Sequence, residues 1–212
     1  DAEATVALLT PVVKAYFSDL GMESTLSAQQ IYGGHGYVWD HGMEQLPRDC
    51  RITQIYEGTN EVQALDLAAR KITGKTGEFA DRFLAGWQEF LAQHADDEQL
   101  ADFVGPTSAA LERLLAVTTR VRKQLESDQA AARGSATNYL RVFALTLIAC
   151  LWTQMMVTTR DKDGECYDTK RKVARFYMDH VLPDALSLAA VIDNCESAVA
   201  YFSVAAFCDS RE

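Results

Sequence analysis

Residues 142–157 read VFALTLIACLWTQMMV, the longest apolar run in the chain. Such a run either crosses a bilayer or fills the middle of a folded core, and the fold depends on which. Thr146, Thr153 and Gln154 interrupt it, and it falls short of the roughly 20 residues that a spanning helix needs. It reads as a buried core helix, and no membrane span is expected. On both sides of it apolar residues return at spacings of three and four, and no segment alternates with period two over a useful length. The expected class is all-α, with no strands.

The composition suits that reading. The 212 residues are 48% hydrophobic and 24% charged, ordinary for a soluble globular chain and sufficient for a core of one or two domains. A formal charge of -10 argues against nucleic acid and against a basic membrane-surface patch, since both need clustered Lys and Arg. Small molecules or other proteins are the expected partners. Cys50, Cys150, Cys166, Cys195 and Cys208 form no CxxC pair and no secreted-type framework, so free thiols and a reducing, cytoplasmic setting are expected. Asp1 is not an initiator methionine, and no charged-then-apolar signal opens the chain, which reads as a fragment or a processed product.

Working outward, Thr10-Pro11 suits an N-cap and first-turn proline. Val12, Val13, Tyr16, Phe17 and Leu20 then line one face up to a stop at Gly21, and a second helix runs from Met22 to Tyr32. Residues Gly33 to Cys50 hold four of the twelve glycines and one of the four prolines, and read as a structured loop with sharp turns. From Thr59 the helical pattern resumes through Val62, Leu65, Asp66, Ala69 and Ile72, and Thr73 to Gly77 reads as a linker. Two domains are expected, 1–73 and 74–212. In the second, amphipathic stripes follow one another: Phe79 to Phe90, Leu111 to Leu125, Tyr139 to Val157, Val173 to Pro183, and Asp184 to about Phe207. Stripes of this kind close into an up-and-down bundle.

Few residues stand out chemically. His35 and His41 lie six apart, without the i, i+4 spacing or acidic partner of a helix-borne zinc site, and no metal is expected. His94 and His180 sit at helix ends, where an imidazole simply serves the C-terminal carbonyls. Gly33-Gly34-His35-Gly36 has neither the spacing of a dinucleotide loop nor the lysine of a P-loop; it either lets another surface approach the backbone or merely turns. Arg48, Asp49 and Arg51 read as scaffold, fixing their stretch by ion pairs and hydrogen bonds. Glu57, between Tyr56 and Gly58, is locally a first-turn acid favoured by a helix dipole. Desolvated beside the aromatic ring, it would instead suit a general base.

From Gln29 to Ile72 the chain reads QQIYGGHGYVWDHGMEQLPRDCRITQIYEGTNEVQALDLAARKI. Three linked motifs in order, Q-x-x-G-G-x-G-Y, R-D-x-R-I and I-Y-E-G-T-N-E, closely resemble the C-terminal signature of the acyl-CoA dehydrogenases. The VQALDLAARK continuation and the long helical extension resemble the longer-subunit branch, which acts on short, medium and sulfur-containing acyl-CoA thioesters. The resemblance implies part of the family's C-terminal helical bundle followed by an additional helical bundle. It implies α,β-dehydrogenation of an acyl-CoA thioester, with Glu57 taking the α-proton and FAD the β-hydride. Gly58 then admits substrate close to the backbone. By the same resemblance Gln30, Gly33 and Gly34 meet the ADP part of an FAD bound mainly by a neighbouring subunit, and Thr59 and Glu61 contact the flavin nucleotide. Glu61 would do so through its backbone, since its carboxylate repels pyrophosphate.

The family's N-terminal helical and middle β-domains lie outside this chain, and with them most of the flavin and thioester pocket. The 212-residue chain alone is therefore expected neither to hold FAD tightly nor to turn over substrate. An electron-transferring flavoprotein and a homo-oligomer, dimer or tetramer, are the implied partners; residues outside the chain set acyl length. The competing reading is a non-catalytic helical interaction module. By analogy with the longer-subunit branch, the region after Gly77 packs on the catalytic bundle and on a subunit neighbour.

Overall fold

The computed structural model describes residues 2–195, which form helices and turns with no strand among them. The first helix, α1, runs without a break from Ala2 to Tyr32. The expected stop at Gly21 does not occur. A Cβ at Gly21 would stand 3.2 Å from Cys50 Sγ, so the missing side chain permits close packing inside the helix instead of ending it. Pro11 likewise lies within α1, and the Thr10 hydroxyl bonds back to the Val6 carbonyl at 2.7 Å.

The stretch read as a loop is largely helical. It contains α2 (Gly34–Tyr37), a 3₁₀ turn (Trp39–His41) and α3 (Gln45–Arg51). Gly33 and Gly42 supply the left-handed positions between them, at φ 59° and 66°. The next helix, α4 (Asn60–Asp66), widens into a π-helical turn over Leu67–Lys71. Thr73–Gly77 is no linker: Thr73 caps α5 (Gly74–Ala92), and Gly77 already donates from its amide to the Thr73 carbonyl at 2.8 Å. Arg122 Nε holds the turn by donating to the Ile72 carbonyl at 2.6 Å.

Beyond it, α6 (Ala101–Ser127) and α7 (Gln129–Thr159) form a long hairpin. Asp128 closes it, its carboxylate accepting from the Ala131 amide at 3.0 Å. Then come α8 (Glu165–Phe176), a second π turn (Tyr177–Val181) and α9 (Pro183–Asn194). The rest of the stripe expected to reach Phe207 lies outside the described residues.

The axis of the fold is α7. By length and composition alone it could cross a membrane, but more than half of its most apolar window is buried inside the molecule. Tyr139, Val142, Phe143 and Ala149 are fully enclosed, and α7 packs on α1, α4, α6, α8 and α9. A helix apolar on most sides belongs in such a centre. Of its interrupting threonines, Thr153 donates to the Ala149 carbonyl at 3.0 Å and shares a 2.9 Å hydroxyl contact with Thr107, while the buried Thr146 hydroxyl has no partner among the described residues. One hydrophobic cluster joins Leu8 and Val12 of α1, Ala64 of α4, Leu67 and Ile72 to the cores of α5, α6, α7 and α9. Phe79, Phe83, Trp87 and Phe90 pack against it as core side chains.

Candidate functional site

The turn that carries Glu57 is unusual in its backbone. Glu57 adopts φ 53° and Gly58 follows at φ 83°, and Glu57 is the one described non-glycine residue with positive φ. That conformation costs about 1–2 kcal/mol for an L-residue and survives where surrounding structure imposes it. Here the surroundings are specific. Lys14 Nζ donates to the Gly58 carbonyl at 2.8 Å and to Asn60 Oδ1 at 2.7 Å. Asn60 Nδ2 in turn donates to Ser18 Oγ at 2.9 Å and Asp19 Oδ1 at 2.6 Å. From the other side Gln63 Nε2 donates to the Glu57 carbonyl at 3.0 Å. The turn is thus clasped to the middle of α1 and to its own following helix.

Asn60 and Lys14 are residues that motif reading passed over. A signal for Asn60 existed: it shares a face with the buried Ala64, Leu67 and Ala68, and a polar side chain on an apolar face marks a built hydrogen-bond site. Lys14 and Asp19 carried none, because their partners lie thirty-five or more positions away along the chain.

Glu57 and Gly58 line an open cleft of about 780 Å³, within the range of small-molecule sites. Val62, Leu65, Ala68 and Ala69 form one wall, and the π turn presents the last two. The opposite wall comes from the helical extension: Leu125 near the end of α6, with Gln129, Ala132 and Arg133 at the start of α7. Asp66, Arg70 and Thr73 complete it. Asp66 faces Arg70 at 3.0 Å and Lys71 at 3.8 Å; the Arg70 contact has ion-pair distance without hydrogen-bond alignment.

The predicted site residues divide into two places. Glu57, Gly58, Thr59 and Glu61 stand together at the start of α4, with Thr59 as its N-cap. The Glu61 carboxyl is held below the usual carboxylate range by its own backbone N–H first, then by the Thr59 hydroxyl. Its carboxylate therefore turns back onto the helix start. Gln30, Gly33 and Gly34 lie at the far end of α1, about 24 Å from Lys14 at 1.5 Å per helical residue. A Cβ at Gly33 or Gly34 would meet nothing within 4 Å, so their backbone faces open space. Gly36, unremarked in the sequence, is the packed one, where a Cβ would stand 2.5 Å from the Gln29 carbonyl oxygen. His35 and His41 share a 3.1 Å contact on the exposed loop. Among the described residues no three His, Cys, Asp or Glu side chains cluster as metal ligands. Arg48 pairs with Glu44 at 2.9 Å and Arg51 donates to Gln54 at 2.6 Å, as scaffold charges do.

Residues 63–202 match the family model "Acetyl-CoA dehydrogenase C-terminal like", and residues 1–72 match "Acyl-CoA dehydrogenase, C-terminal domain". The chain belongs to the acyl-CoA dehydrogenase family. Among its relatives in that family, a butyryl-CoA dehydrogenase of Syntrophomonas wolfei is 30% identical over 184 residues, 82% of this chain and 30% of the relative. The 3-methylmercaptopropionyl-CoA dehydrogenase of Ruegeria pomeroyi is 30% identical over 131 residues, 62% of this chain and 19% of the relative. The chain therefore spans a third or less of these acyl-CoA dehydrogenases. In fold it is similar to ACDH-11 of Caenorhabditis elegans, solved in complex with C11-CoA, with TM-score 0.59 at 21% identity over 84% of this chain and 29% of that one.

Proposed function

We propose that this chain is the C-terminal part of an FAD-dependent acyl-CoA dehydrogenase and that Glu57 is its catalytic base. The observation that carries the reading is the clasped turn: Glu57 is held in a left-handed conformation on the wall of a cleft, by bonds from Lys14, Asn60 and Gln63. In the reaction the thioester's Cα–H bond breaks and its proton goes to the Glu57 carboxylate. The β-hydrogen leaves with its electron pair, and the Cα–Cβ double bond forms. Bound FAD supplies the acceptor for that hydride.

This chain's own residues position the proton transfer. Lys14 and Asn60 fix where the Glu57 carboxylate begins, and Gly58 at φ 83° lets the chain turn there with Gln63 Nε2 only 3.0 Å from the place of a Cβ. An enolate-like charge develops as the α-proton departs, and a backbone N–H at the turn stabilises it. For the flavin, Gly33 and Gly34 offer an unobstructed backbone, and Gln30, Thr59 and Glu61 flank the two places where a nucleotide would rest. These are edges of a pocket, which fits an FAD held mainly by other parts of the enzyme, a neighbouring subunit included. Residues 1–73 then serve as the catalytic segment and 74–212 as the extension, in a cytoplasmic oligomer that passes electrons to an electron-transferring flavoprotein.

The test is Glu57→Gln in the complete FAD-bound polypeptide. Loss of a positioned base lowers the rate by about 10²–10⁴-fold, so flavin bleaching by a panel of acyl-CoAs should slow by that factor. Bleaching at the unaltered rate across the panel rules Glu57 out.

A further inference from the structure

The far wall of the Glu57 cleft belongs to the extension, and among the described residues one of its side chains is uncommitted. Of the charged side chains lining the cleft, Asp66 is balanced by Arg70 and Lys71. Among the described residues Arg133, which lines the cleft, has no carboxylate partner. It stands one turn into α7, near the positive end of the dipole of a 31-residue helix, where an anion is favoured and a bare cation is not. A guanidinium and a helix start together raise the potential of that wall, while Leu125 and Ala132 beside it keep the wall apolar. Glu57 on the opposite side is the cleft's other charge without an ion pair among the described residues. The cleft thus offers an acid on one wall and, among the described residues, an unpaired cation on the other.

We propose that Arg133 is a ligand-binding residue of this cleft that holds a phosphate group of the acyl-CoA thioester, so that the extension helps to select the substrate. This rests on reading the cleft as the thioester site. A guanidinium presents a planar fork of donors to phosphate oxygens, and the apolar surface between the two walls suits the uncharged body of the same ligand. Phosphate is also part of FAD, and the experiment separates the two sources.

The complete FAD-loaded polypeptide is titrated calorimetrically with coenzyme A, which reads affinity without turnover. Arg133→Ala should weaken coenzyme A at least about tenfold, the cost of one charge-assisted hydrogen bond, and Arg133→Lys should weaken it less. Arg175→Ala, which removes an equal charge from an ion pair with Asp102 and Asp179 outside the cleft, should leave the affinity unchanged. FAD content should be the same in all four proteins. The proposal is overturned if Arg133→Ala binds coenzyme A like the parent, if Arg133→Lys is no better than Arg133→Ala, or if Arg133→Ala sheds FAD and keeps coenzyme A. A parent protein with no affinity for coenzyme A overturns the thioester reading itself, whereas a binding parent with an unaltered Arg133→Ala overturns only the role of Arg133.

Discussion

Asn60 is nearly buried, at 8% exposure, and every bond it makes ties the Glu57 turn to α1. Replacing it with Ala removes three donor contacts, to Ala15, Ser18 and Asp19, and the acceptor that Lys14 and Ser18 share. Leaving such groups unsatisfied costs about 1–3 kcal/mol. Asn60→Ala should therefore lower the unfolding free energy by about 2–3 kcal/mol in urea melts, and hydrogen exchange should quicken at Gly58 before it quickens in α7. Glu61 adds a dependence on pH. Its folded pKa is depressed, chiefly by its own backbone N–H, so it contributes stability above its unfolded value near 4.5. That contribution is lost as pH falls through the folded value. Glu61→Gln should flatten the acid limb of stability measured below pH 4.5 and leave the difference between pH 6 and 8 unaltered; an unaltered acid limb would sink the assignment. At this scale the motifs pointed to Glu57, Gly58, Thr59 and Glu61, which stand together at the start of α4. They were silent on the lysine and asparagine that set the turn, because those bonds cross between segments distant in sequence.

Glycines illustrate what can and cannot be read of an element. Within α5, a Cβ at Gly77 would stand 2.6 Å from the Ile72 carbonyl oxygen and 2.7 Å from its carbon, whereas one at Gly86 would meet nothing within 4 Å. Helix propensity favours Ala over Gly by about 1 kcal/mol at either position. Sterics reverse the sign at Gly77, where overpacking against backbone costs about 1–3 kcal/mol. Gly77→Ala should thus lower the melting temperature and Gly86→Ala should raise it, and calorimetry on the pair would settle whether the Thr73–Gly77 turn is rigid. Equal shifts would mean that the turn yields. The sequence expectation of a linker there, and of a stop at Gly21, followed a sound local rule that glycine ends helices. Packing overruled it at Gly21, where Cys50 comes close, and at Gly77, where Ile72 does. The π turn at Leu67–Lys71 was not legible at all, since an extra residue per turn is tolerated only when neighbouring helices hold both sides of it.

At the scale of the whole molecule, α7 connects the turn that bears Glu57 with the helices that follow it. Phe143 is fully buried, stacked edgewise near Tyr139 at 6.3 Å between ring centres, in the cluster that also contains Leu8, Ala64 and Ile192. Phe143→Ala should cost about 3–5 kcal/mol. The loss should appear as one cooperative transition that includes the Lys14–Asn60 clasp, followed by hydrogen exchange at both ends of the chain. Two separate transitions, with the α1–α4 region unaffected, would contradict a shared core.

The amino-acid sequence by itself determined the all-α class, the core role of residues 142–157 and the family, and its motifs point to Glu57 as the proposed base. Each of these rests on local periodicity or on motifs contiguous along the chain. Only the tertiary structure decided that Asn60 and Lys14 hold that base in a left-handed turn, that glycines at Gly21 and Gly77 pack instead of breaking helices, and that Arg133 of the extension faces the same cleft. These depend on which helix faces meet. Side-chain shape and buried hydrogen bonds across the whole chain select that arrangement, and no local pattern records it.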